Sequence, residues 1–218
     1  MFVRDRMNRD PICGKPDMSV VEIQELMKSN QVRHLPIVDE TIKLVGLVTE
    51  SALLRALPSD VKNFSRFEVS YILSKLKTDK IMIKSVFTTD PDTPIEDAAL
   101  ILAERRIGSL CVVDNDRLVG IISDKDIYLA MASLLGSRNP GIRVTVQQPD
   151  KSGVMAGLTT AIAKENGYLS VCVGYHPLDQ ENKWVSVCKV ENITEDKIVE
   201  IICGLEDAEI IDIRQFQE

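Results

Sequence analysis

At 218 residues, 44% hydrophobic and 27% charged, the chain is large enough for one domain or two small ones, and its composition excludes disordered, fibrous and membrane classes. The net charge of −7 sits in the tail: residues 1–141 hold 19 Lys and Arg against 20 Asp and Glu, residues 142–218 hold 7 against 13, so neither part offers the basic face a nucleic-acid partner requires. Apolar runs are too short to cross a bilayer, and Met1-Phe2-Val3-Arg4-Asp5-Arg6 lacks the apolar stretch of a secretory leader, which predicts a cytoplasmic protein with no membrane partner.

Taken in chain order, the first elements belong to a repeat. Met7, Pro16-Asp17, Val32, Leu35, Val38 and Asp39 recur 75 positions later as Met82, Pro91-Asp92, Ile107, Leu110, Val113 and Asp114. Leu44-Val45-Gly46-Leu47-Val48-Thr49 recurs 74 positions later as Leu118-Val119-Gly120-Ile121-Ile122-Ser123. Two long copies predict a pseudo-two-fold pair sharing one core rather than an open solenoid. In copy one, Ser19 and Glu22 start a helix through Ile23, Leu26 and Met27. In copy two, Thr93 is the expected N-cap, with Pro94 at the first helical position and Glu96 completing a capping box; Ile95, Ala98, Ala99, Leu102 and Ala103 follow at helical spacing, and Gly108 is the stop. Leu110–Val113 and Leu118–Ile122, joined by Asp114-Asn115-Asp116, predict a hairpin. A second helix runs from Lys125 to Leu135, and Leu53-Leu54-Arg55-Ala56 begins its counterpart.

The motif Gly120-x-x-Ser123-x-x-Asp126 ends a strand and opens a helix. There the Ser123 hydroxyl and free amides suit an anion, and Asp126 one turn on can accept from both hydroxyls of a ribose. The same pair serves equally well as a plain helix cap.

The two copies, with Arg33-His34-Leu35-Pro36-Ile37-Val38-Asp39 and Gly120-Ile121-Ile122-Ser123-Asp124-Lys125-Asp126, resemble cystathionine-β-synthase (CBS) domains in tandem. The resemblance implies an adenine-nucleotide cleft (AMP, ADP or ATP) used as a regulatory ligand and not as a catalytic cofactor. Ser123 and Asp126 would hold phosphate and ribose, Ile12 and Cys13 would flank the adenine, and Arg33 and His34 would approach the phosphates. The mirror cleft, with Thr49, Phe87, Gly108 and Ser109, carries Ala52 where the ribose-binding Asp should stand. It is expected to be degenerate, and no basic residue in it matches Arg33 and His34 by position.

Beyond Ser137-Arg138-Asn139-Pro140-Gly141, a breaker-rich linker, the pattern changes to a strand at 142–146, a helix from Val154 to Glu165, strands at 168–174 and 184–190, a helix up to Gly204 and a last strand at 209–213. This βαββαβ order suits a ferredoxin-like layout, an antiparallel sheet covered on one face by helices. Pro149-Asp150-Lys151-Ser152-Gly153-Val154-Met155 and Asn166-Gly167-Tyr168-Leu169-Ser170-Val171 resemble ACT domains. That implies an amino-acid site at Asp150, Ser152 and Gly153, or dimerisation alone. Five cysteines without a Cys-x-x-Cys pair and only two histidines predict packing thiols and no metal site.

The expected organisation is α/β (α+β): CBS domain 1 over 1–58, a helical linker over 59–78, CBS domain 2 over 79–136 and an ACT-like domain over 142–218. The arrangement is similar to the bacterial acetoin-utilisation regulatory proteins, which implies a non-catalytic homodimeric allosteric sensor acting on an unidentified protein. No nucleophile, base and orienter stand out as a set. A constitutive scaffold with vestigial clefts, or an enzyme using an adenosyl ligand, remain the alternatives.

Overall fold

The computed structural model describes residues 1–56 and 66–216. It divides into two compact units, Met1–Tyr128 and Leu129–Glu218.

In the first unit the repeat becomes two copies of one arrangement. Copy one holds α1 (Val20–Ser29), the hairpin β1 (His34–Val38) and β2 (Leu44–Thr49), and α2 (Glu50–Arg55). After α3 (Arg66–Lys75), copy two holds β3 (Thr88–Thr89), α4 (Ile95–Arg105), the hairpin β4 (Ser109–Asp114) and β5 (Arg117–Ser123), and α5 (Asp124–Leu134), inside which the boundary between the units falls. His34 pairs with Thr49 as Ser109 pairs with Ser123, and both hairpins slip register at the same place, Ile37/Val38 and Val112/Val113. Ile23, Met27, Leu35, Ile37 and Val48 form the core of copy one. Val38 and Leu47 pack with Cys111 and Leu118 in a cluster that both copies share.

The copies also exchange their leading segments. Phe2 bridges Pro94 and Asn8 bridges Ile121, while Ser19 bridges Lys77 and Leu47 bridges Ile83. The Ile95 amide donates to the Met1 carbonyl at 3.1 Å, and the Val20 amide to the Leu76 carbonyl at 2.9 Å. Gly46 and Gly120 allow this exchange: a Cβ there would lie 2.5 Å from Met82 Sδ and 2.8 Å from both Met7 Sδ and the Asn8 carbonyl oxygen, respectively.

Two local expectations are corrected. Thr93 does not cap α4. Pro94 is the N-cap, with no side-chain cap bond, and the Thr93 hydroxyl oxygen accepts from the Thr89 hydroxyl at 2.9 Å. That helix stops at Arg106, left-handed at φ 53°, before Gly108 is reached. Of the expected helical linker, α3 supplies 66–75, and residues 59–65 lie outside the described residues.

The second unit is β6 (Gly141–Pro149), α6 (Val154–Lys164), β7 (Tyr168–Tyr175), β8 (Lys183–Glu191), α7 (Glu195–Cys203) and β9 (Glu209–Phe216), an antiparallel sheet ordered β7-β8-β6-β9. Alternate residues Ile142, Val144 and Val146 of β6, with Cys188 and Val190 of β8, meet Leu158 and Ile162 of α6 and Ile198 and Ile202 of α7. Both helices therefore cover one face of the sheet. Cys172 and Cys188 lie opposite each other on β7 and β8 with their sulfurs 3.5 Å apart. Among the described residues no helix is long and apolar enough to cross a membrane, and no three metal-ligating side chains cluster.

Candidate functional site

Each hairpin of the first unit ends in a hydroxyl residue that opens a helix, and the two hydroxyls behave differently. The Thr49 oxygen accepts from the Ala52 amide at 3.2 Å, an ordinary N-cap. At Ser123 the amide and the hydroxyl both donate to Asp126 Oδ2, at 2.9 and 2.6 Å. These bonds tie the Asp126 carboxylate back onto the residue that precedes α5 and leave Oδ1 without a hydrogen bond among the described residues.

Arg33 and His34 lead into β1 beside the start of α5. The Arg33 guanidinium stands 3.8 Å from Asp124 Oδ1. The His34 ring lies against Gly108, where a Cβ would come within 2.9 Å of its Cε1 atom. Gly108 is thus a close-approach glycine that makes room for imidazole, and not a helix stop. Burial, and then the Arg33 charge, push the His34 pKa below its ordinary value.

Two adjoining cavities open here. The smaller, about 180 Å³, is lined by Arg33, His34, Thr49, Glu50, Ser51, Gly108 and Asp124. The larger, about 300 Å³, shares His34, Thr49, Ser51 and Gly108 and adds Ile83, Phe87, Arg106 and Ser109. The guanidinium of Arg105 stacks on the Phe87 ring at 5.3 Å. Ser109 is only 3% exposed, and its hydroxyl has no partner among the described residues. A buried hydroxyl left unpaired costs free energy until a ligand or water meets it.

The structure therefore distributes the expected residues differently. Arg33 and His34 join Thr49 and Gly108, and His34 also joins Phe87 and Ser109, so the cleft read as lacking basic residues is lined by His34 and Arg106. Ser123, Asp126, Ile12 and Cys13 line neither cavity. Ile12 is exposed, and the half-buried Cys13 donates its thiol to the Pro11 carbonyl at 3.2 Å, with burial and Asp10 raising its pKa. Sequence reasoning passed over Glu50, Asp124, Ser51 and Arg106. A signal for the first two was present, since each directly follows the hydroxyl residue of its copy.

In the second unit Gly153 is the left-handed N-cap of α6 at φ 91°. A hollow of about 250 Å³ is lined there by Asp150, Lys151, Gly153, Met155 and Trp184, among others, but not by Ser152. His176 packs edge-on to Trp184 with ring centroids 5.0 Å apart, and its Nδ1 lies 3.9 Å from Asp150 Oδ2.

The model of the CBS-domain family matches residues 3–59 and 78–133. An L-aspartate semialdehyde sulfurtransferase of Methanocaldococcus jannaschii is 30% identical over 127 residues, 58% of this chain but 22% of that protein; the chain thus corresponds to about a quarter or less of the first curated relatives it matches. Three solved structures share the fold. A protein ascribed to acetoin utilization in Vibrio cholerae is 29% identical, with TM-score 0.53 over 64% of this chain and 98% of that one. The CBS pair of MJ0100, solved with 5-methylthioadenosine and S-adenosyl-L-methionine, is 28% identical, with TM-score 0.51 over 61% and 97%. CBSX2, solved with AMP, gives the same four values.

Proposed function

The chain belongs to the CBS-domain family, and from that membership we propose a regulatory module that binds an adenosine ligand in the cleft between its two copies. The observation that carries this reading is the pair of adjoining cavities at the junction of the hairpins, with the buried, unpartnered Ser109 hydroxyl on one wall. Phe87 and Ile83 offer adenine an apolar wall, Thr49, Ser51 and Ser109 offer hydroxyls to the ribose, and Arg33 offers a cation to the 5′ substituent. The CBS pair of MJ0100 was solved with methylthioadenosine and S-adenosylmethionine, and CBSX2 with AMP, which supports the ligand class.

A second placement puts the ribose on Asp126, favoured by its open Oδ1. Isothermal titration of AMP into the wild type, Phe87→Ala and Asp126→Ala separates the two. With the ligand in the described cavities, Phe87→Ala weakens binding about tenfold or more, about 1.4 kcal/mol, and Asp126→Ala leaves it near wild type. The reverse pattern moves the site to Asp126. A wild type that binds no adenosine compound overturns the reading.

The regulatory rather than catalytic role is supported by how little of the sulfurtransferase, 22%, the shared portion represents. For the second unit we ascribe an ACT-like role, homodimer formation or capture of a small amino acid, which the hollow beside Asp150, Gly153 and Trp184 supports. Within this reading the protein is cytoplasmic, and an acetoin-utilisation role follows the likeness to the Vibrio cholerae protein.

A further inference from the structure

We infer that Glu50 and Asp124 set the charge of the ligand this cleft accepts, excluding polyphosphates in favour of an adenosine whose 5′ group carries one phosphate, no charge or a positive charge. The inference rests on the adenosine reading above but not on which wall takes the base, because the small cavity adjoins the larger one and also touches Asp124, next to Ser123.

Among the described residues lining the small cavity, Arg33 is the one standing cation, and Glu50 and Asp124 are two carboxylates. His34 does not add a second cation near neutrality, because burial and the Arg33 charge hold it toward the neutral form. Arg33 is also already shared, its guanidinium 3.8 Å from Asp124 Oδ1. Arg106 lines the larger cavity only. A single phosphate can compete for Arg33. The second and third phosphates of a triphosphate meet no further cation among the described residues lining this cavity and face two carboxylates at short range, where like charges repel strongly. A sulfonium or amine on the 5′ side meets those carboxylates favourably. Three of the amides at the helix starts are already engaged, that of Glu50 by the Arg33 carbonyl at 3.1 Å, that of Asp124 by the Gly108 carbonyl at 3.1 Å and that of Lys125 by Asp124 Oδ1 at 2.8 Å.

The test is titration of AMP, ATP and S-adenosylmethionine, without magnesium, into the full chain and into the Glu50→Gln, Asp124→Asn double variant. Both side chains reach solvent, and a thermal melt checks that the variant folds. In the wild type ATP is expected to bind at least about tenfold more weakly than AMP. In the variant that gap closes or inverts, while S-adenosylmethionine loses affinity. Raising the salt narrows the wild-type gap. Equal wild-type affinities for AMP and ATP, or an unchanged ratio in the double variant, overturn the inference and leave the adenosine reading standing. Failure of all three compounds to bind either protein overturns both.

Discussion

His34 shows how one side chain joins the two copies. It heads β1 in copy one, its ring rests on Gly108 of copy two, and it lines both cavities. Burial is the largest cause of its lowered pKa, so the unfolded chain takes up a proton at this residue before the folded chain does. Stability is therefore present above the ordinary His pKa of about 6.5. It is lost as pH falls from there to the lower folded value, with no further loss from this group below that. Thermal melts between pH 7.5 and 5 are expected to show this decline, and His34→Gln to flatten it; a variant melting with the wild-type pH profile would assign the decline to other groups. The importance of His34 was legible in the sequence, but its neighbours were not. Its contact with Gly108 joins residues 74 positions apart, and no local pattern encodes a contact made across a pseudo-two-fold axis.

The two long helices that open each copy occupy equivalent places but begin by different devices. Ser19 and Glu22 form a complete capping box: the Glu22 amide donates to Ser19 Oγ at 3.3 Å, and the Ser19 amide and hydroxyl donate to Glu22 Oε2 at 2.7 Å. In α4 the Thr93 hydroxyl is turned to Thr89, and a main-chain carbonyl from the chain start, Met1, meets the Ile95 amide. The first device spans three residues and could be read directly. The second spans ninety-four, so the Thr-Pro-x-Glu pattern suggested a cap that tertiary contact replaces. Ser19→Ala should accordingly cost about 1 kcal/mol, lowering the melting point of its unit by about 2–4 °C, with Thr93→Ala costing less. A calorimetric comparison of the two variants checks this, and equal losses would mean that Thr93 contributes as much as a cap.

Over the whole molecule, the sequence repeat and the packing unit differ. The repeat reads as two consecutive domains, yet Val3, fully buried, donates its amide to the Thr93 carbonyl at 2.9 Å, while the matching Thr78 donates to Met18 at 2.9 Å. Arg4 and Asp79 repeat the exchange with the carbonyls of Pro91 and Pro16. Spacing revealed the two copies, but exchange of leading segments changes no periodicity, so it could not be read from the pattern. The consequence concerns which pieces can fold. A chain of residues 1–58 retains its own hairpin and α1 but loses the strip at 76–83 that satisfies Val20 and packs Met82 on Gly46. It also exposes Val3, whose burial is worth about 1.5–3 kcal/mol for such a side chain. Against a domain stability of only about 5–15 kcal/mol, these losses fall together on one small core. Residues 1–136 keep both exchanged segments and the shared cluster of Val38, Leu47, Cys111 and Leu118. The longer piece is expected to melt cooperatively and to give dispersed amide resonances, and residues 1–58 alone to show neither. A cooperative melt from the short piece would show that one copy is a self-sufficient domain and that the exchange is incidental to its stability.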